Sequence, residues 1–215
     1  MTDTKTLIAL LSSEVHEPTK LLLPGYWGGR LVAALAIYAV AAQFYLGLRP
    51  DLAMQFSRPA FAAETALLAL LFLASTIASV LGMYPDAYQK PKYLLLPYAA
   101  CLLLVFLVAL QMFMPPDARM VVRGSASHAM ECVLCIGSVS VIPGALIFAL
   151  LRKGANVRHW EAGTFAVLGA SAIGCLTLRL AEADDSLMHL AVWHYLPTLF
   201  FSALGAVIGA RLLKW

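Results

Sequence analysis

Apolar residues run almost unbroken through six stretches of the chain, at about 31–48, 60–81, 93–114, 127–151, 162–180 and 187–213. A helix that crosses a bilayer needs about 20 such residues. The first and fifth stretches sit near the lower limit. None of the six alternates with a period of two, which excludes a transmembrane barrel. Among the polar residues inside them are Gln43, Glu64, Gln111, Glu131 and Arg179. The predicted fold is therefore all-α, a polytopic six-helix transmembrane bundle. Its connections, 49–59, 82–92, 115–126, 152–161 and 181–186, are short loops. Several carry turn chemistry, such as Arg49-Pro50-Asp51, Tyr84-Pro85-Asp86 and Pro115-Pro116-Asp117. None is long enough to fold as a domain, and no internal repeat is visible.

The first 30 residues follow a different pattern. Leu7, Ile8, Leu10, Leu11 and Val15 recur at the spacing of one helical face, while Lys5, Ser12, Ser13, Glu14 and His16 take the other. Thr2 and Asp3 can cap this helix and Pro18 ends it. The reading divides the chain into an amphipathic segment, 1–30, and a six-span domain, 31–215. A helix of about 14 residues is marginal alone in water, so its apolar stripe must lie on something. The membrane surface or the ends of its own bundle is one answer. The groove of a partner protein is the other. The polar face is poor in Lys and Arg, and the apolar face lacks Trp and Phe, which weakens the first.

Composition agrees with the spans. Of 215 residues, 61% are apolar and 13% charged, and the mean hydropathy is +0.81. Soluble domains average about 45–50% and about 25%. Disorder is excluded by the apolar excess, and four cysteines are too few for a disulfide scaffold. A net charge of +3 without a basic run argues against direct nucleic-acid binding, leaving the lipid bilayer as the expected surrounding. No cleavable leader is visible. Basic residues orient the bundle. Lys5, Lys20, Arg30, Lys90, Lys92, Arg152, Lys153, Arg158, Arg211 and Lys214 fall on one side, against Arg49, Arg58, Arg119, Arg123 and Arg179 on the other. Both termini are thus expected in the cytoplasm.

Candidate chemistry gathers at the opposite side. His128, Glu131, Cys132 and Cys135 occupy i, i+3, i+4 and i+7, one stripe of a helix. A carboxylate so near the hydrocarbon should face the bundle or a polar cavity. The fifth loop and the following span bring Glu182, Asp184, Asp185, His189 and His194 to the same side. Thiol, imidazole and carboxylate together can take a soft or borderline metal cation; equally, small thiols pack inside bundles and acids at a membrane edge are merely solvated. Cys132-x-x-Cys135 also admits a thiol–disulfide reading. Yet two cysteines one helical turn apart meet poorly, and Cys101 and Cys175 supply no second pair. A small transporter is a further reading, although the two halves show no repeated broken helices. No hydrolase or phosphate-loop pattern appears, so the chain is not expected to be an enzyme, and no cofactor is required.

Several short stretches, in order, resemble one family. Thr6-Leu7-Ile8-Ala9-Leu10-Leu11, Glu131-Cys132, Pro143-Gly144-Ala145-Leu146 and Leu151-Arg152-Lys153-Gly154-Ala155 match it, as do Ala162-Gly163, Asp185-Ser186, Val192-Trp193-His194-Tyr195 and Gly209 to Trp215. The chain resembles the NrsF family of membrane-bound anti-sigma factors. The resemblance implies a six-span protein of the bacterial inner membrane. It implies that the cytoplasmic N-terminal segment holds an extracytoplasmic-function (ECF) sigma factor away from RNA polymerase, with Leu7, Ile8, Leu10, Leu11 and Val15 as anchors. It also implies release under metal or oxidative stress sensed by two periplasmic cysteines. Cys132 matches the first of these. Glu182 stands where the second belongs, so a disulfide switch is not expected here. Either Cys132 with Cys135, or with Glu182 and a histidine, coordinates a metal cation instead, or the sensing step differs or is lost. His128, Glu131, Cys132, Glu182, His189 and His194 are the candidate metal ligands.

Overall fold

The computed structural model describes residues 3–14, 24–86, 91–113 and 129–214. Among these it is helical throughout, with no strand. Helix α1 spans Thr4–Glu14 and α2 spans Pro24–Leu46. A short α3, Leu52–Phe56, precedes α4 at Pro59–Leu81 and α5 at Pro91–Phe113. Helix α6 covers Ala129–Leu151 and α7 covers His159–Ala181. The sixth long helix, Leu187–Leu212, opens as α8, Leu187–His189, widens into a π-helical turn at Leu190–Tyr195, and closes as α9, Leu196–Leu212. Six helices are therefore long and apolar enough to cross a membrane. Rings stand exposed at both ends, with Tyr26, Tyr93 and Trp160 at one and Tyr45 at the other. Interfacial aromatics take such positions in membrane helices.

The first span differs most from expectation. It starts at Pro24, seven residues before the apolar run, because proline is preorganised for the first helical turn. Arg30 then reaches back over the Tyr26 ring, 4.0 Å from its centroid, so the charge stays at the helix start. The helix ends at Leu46 because Gly47 takes φ +82° and its N–H donates to the Gln43 carbonyl at 2.9 Å. That is a left-handed C-terminal cap, which favours glycine. Residues 24–30 thus belong to the bundle rather than to the N-terminal segment. The other long helices begin and end within three residues of the expected spans.

Helix α7 is the centre of the bundle and packs on α9, α4, α6 and α2. Two thirds of its most apolar stretch is buried (67%), against 17% for α5. Lipid is as apolar as leucine, so helices associate in a bilayer through close packing of small residues. That is how α7 meets α9: a Cβ on Gly163 would strike the Gly205 carbonyl and lie 2.6 Å from the Gly209 Cα. On its other face Gly174 lets the Ile136 carbonyl of α6 approach, where a Cβ would sit 2.6 Å away.

Candidate functional site

Polar chemistry concentrates at the end of the bundle where α2 and α7 finish and α4, α6 and α8 begin. Asp184, Asp185 and Ser186 make the local turn. The Ser186 N–H donates to Asp184 Oδ1 at 2.8 Å, and the Ser186 hydroxyl accepts from the His189 N–H at 3.4 Å. This N-cap starts the sixth helix directly after α7. The same loop sends Glu182 to one side and Asp185 to the other.

On one side lies a cluster of Cys132, Glu182, His189 and His194, whose ligand-type atoms all lie within 4.8 Å of one another. Cys132 Sγ is 3.5 Å from Glu182 Oε1 and 3.5 Å from His189 Nε2. Glu182 Oε1 is 3.2 Å from His189 Nε2, and its Oε2 is 3.0 Å from His194 Nε2. Asp184 Oδ2 stands 3.7 Å behind, at His189 Nδ1. Cys132, His189 and His194 are buried, while one fifth of the Glu182 side chain is exposed. Burial alone would raise the Glu182 carboxyl. The His194 hydrogen bond and the charges of His194 and His189 outweigh it and hold the group below its usual range.

On the other side two arginines and three carboxylates interlock. Arg179 donates from Nε to Glu64 Oε1 at 2.9 Å and from Nη1 to Asp185 Oδ1 at 2.8 Å. Arg49 holds Asp185 with two hydrogen bonds of 2.8 and 2.9 Å and turns its Nε to Asp51 at 2.7 Å. Gln55 donates to both aspartates, and the Tyr195 hydroxyl donates to Glu64. Glu64 and Arg179 are each 1% exposed. The Arg179 guanidinium also lies 4.6 Å from the centre of the Phe61 ring. Five segments of chain are tied at this knot. Burial would raise the Asp185 carboxyl, but hydrogen bonds from Arg49 and the charge of Arg179 hold it below the usual range.

That shift has a pH consequence. Folded Asp185 binds its proton more weakly than the unfolded chain does. The stabilisation is therefore complete above the unfolded value near about 3.9 and is lost as pH falls through the lower folded value. The thermal unfolding midpoint in detergent should fall on acidification below about pH 4, and Asp185→Asn should remove part of that acid response. A midpoint that rises with acid would contradict this.

Of the residues expected at the site, Cys132, Glu182, His189 and His194 come together. Cys135 lies one turn along, half-buried, and the structure gives it no place in the cluster. No disulfide joins Cys132 and Cys135. Glu131 is exposed, which corrects the expectation that it faces the bundle or a polar cavity: the buried stripe of α6 runs through Cys132, Ile136 and Val139. In the first turn of α6, Glu131 faces outward at a helix N-terminus, where negative charge is favoured. His128 lies outside the described residues. Of the N-terminal anchors, Ile8 is exposed in α1, Leu7, Leu10 and Leu11 fall on the same helix, and Val15 lies outside the described residues. The sequence reading missed Arg49, Gln55 and Tyr195. It placed Arg179 at the end of the fifth apolar stretch, among the charges of the outer side, whereas Arg179 is a buried partner of Glu64. Opposite charges at the same end of two apolar helices were the available signal.

No curated protein and no solved structure matches the chain significantly. A family model described as NrsF, negative regulator of sigma F, matches residues 11–215. That span takes in all six long helices, the cluster and the charged knot. The chain belongs to the NrsF family of negative regulators of a sigma factor.

Proposed function

We propose that this regulator is a membrane-anchored anti-sigma factor of the inner membrane. Its N-terminal helix holds an ECF sigma factor on the cytoplasmic side, and the polar cluster at the opposite end of the bundle receives the stress signal. The observation that carries this reading is α1. It is a helix of 11 residues, too short to span, and its Ile8 is 61% exposed. An exposed aliphatic side chain on a short helix whose sequence repeats apolar residues at helical spacing suits helix-in-groove docking. The surplus of basic residues on the α1 side supports the orientation. Bound sigma would be excluded from RNA polymerase by occlusion.

Release needs two states of the bundle and a difference in sigma affinity between them. A coupling of about 1–3 kcal/mol changes affinity about 5–150-fold. The loop 182–186 supports such a coupling because it joins the cluster to the charged knot, and the knot grips α4 and α7. The topology is tested by tagging the N-terminus in intact cells. The tag should react with a membrane-impermeant label only after the inner membrane is opened. Labelling in spheroplasts with a sealed inner membrane would overturn the reading.

A further inference from the structure

The π-helical turn at Leu190–Tyr195 has a consequence for His189 and His194. In an α-helix, residues five apart point about 140° from one another, at about 100° per residue. A π-turn closes i to i+5 instead, and such turns frequently mark functional sites. Here it brings the two imidazoles onto one face, with ring centroids 5.3 Å apart and both Nε2 atoms on Glu182. Proline 197 accounts for the widening locally: it has no N–H to continue the ladder, and its ring would clash with a carbonyl one α-turn back. The Leu196 N–H accordingly bonds to the Ala191 carbonyl, five residues earlier.

We propose that Cys132, Glu182, His189 and His194 form a binding site for a divalent cation of the zinc class. A tetrahedral ion with bonds of about 2.0–2.3 Å spaces its donors about 3.3–3.8 Å apart. The separations of 3.0 to 3.5 Å around Glu182 and Cys132 already approach that spacing. The donor set is one sulfur, two nitrogens and one carboxylate, which suits zinc-class ions. Magnesium and calcium want about six or more oxygens and find one carboxylate. A thiolate and a carboxylate with two neutral imidazoles offset a double positive charge, so the four ligands and the ion together carry no net charge beside the hydrocarbon. Binding releases the Cys132 thiol proton to water. Asp184 stands behind His189 where a carboxylate can orient a liganding imidazole. His194 is fully buried and turns Nε2 to Glu182 at 3.0 Å, so this nitrogen is the one aimed into the cluster. The partly exposed Glu182 provides the entrance.

The site stands on this geometry alone; that its cation is the stress signal rests on the anti-sigma reading. The full chain in detergent should bind one Co²⁺. It should show near-ultraviolet thiolate-to-cobalt absorption and the strong visible bands of a four-coordinate ion. Zn²⁺ should displace it and excess Mg²⁺ should not. Cys132→Ser should erase the thiolate absorption. Glu182→Gln should weaken binding by more than about 10-fold, the lower end of what losing a mere supporting residue costs. Both substitutions keep side-chain shape, so they decide the matter even if histidine variants fail to fold. Absence of the spectrum in the wild-type chain, or its persistence in Cys132→Ser, overturns the site. With sigma bound to the full chain, Zn²⁺ should lower retention in the wild type and not in Cys132→Ser. Cation binding with unchanged retention overturns the signalling role and leaves the site standing. Retained sigma without any cation binding overturns the site and leaves the anti-sigma reading standing.

Discussion

Replacing Arg179 by methionine should cost about 3–5 kcal/mol, the usual penalty for removing one partner of a buried ion pair. The substitution keeps the volume of the aliphatic stem but strands Glu64, which is 1% exposed on α4 and is left with the hydrogen bond from the Tyr195 hydroxyl. Asp185 suffers less, because Arg49 and Gln55 continue to hold it. The loss should therefore concentrate on the α4–α7 contact. In a chain of this size it corresponds to a fall in the unfolding midpoint of about 6–20 °C. Adding Glu64→Gln to Arg179→Met should recover much of the loss, since the carboxylate left without a partner is then gone. Circular dichroism of the detergent-solubilised variants gives both answers. Arg179→Met as stable as the wild type would mean that the knot is not a closed buried network.

A charge at Ile8, the exposed aliphatic residue of α1, should have the larger effect on regulation. Ile8→Asp places a carboxylate where an apolar side chain is 61% exposed and free to dock. The bundle does not depend on this residue, so the protein should accumulate in the membrane as before. Anchors of this kind carry about 2 kcal/mol or more each, or about a 30-fold loss of affinity at 1.4 kcal/mol per tenfold. A sigma-dependent reporter should then rise toward the level of a strain lacking the regulator. Leu11→Asp, three residues on in the same periodic pattern, should behave alike. Undiminished repression in both variants would show that sigma is held elsewhere.

Six apolar runs marked the helices because hydrophobic length is a local property. Helix ends were less legible where a special residue overrode hydropathy. Pro24 starts α2 among glycines and an arginine, which no apolar window counts, and the positive φ of Gly47 closes it. The four clustered donors were visible as residue types on the correct side. Their pairing was not, since it depends on a π-turn that shifts every residue after Leu190 relative to an ideal helix. Glu131 shows the reverse error. A helical stripe drawn through His128, Glu131, Cys132 and Cys135 is too wide, and the buried line passes through Cys132 alone of the pair 131–132. Arg49 illustrates the limit of local reading. Its loop looks like a solvated turn, and only the fold reveals that Asp185, 136 residues away, buries it.

Co-purification from membranes tests the central claim most directly. Full-length chain and a form beginning at Pro24 are each expressed with the sigma factor and extracted in mild detergent. The account predicts that sigma remains with the full chain and is lost from the shortened one, with both present in the membrane in equal amount. Retention of sigma by the shortened form would contradict it.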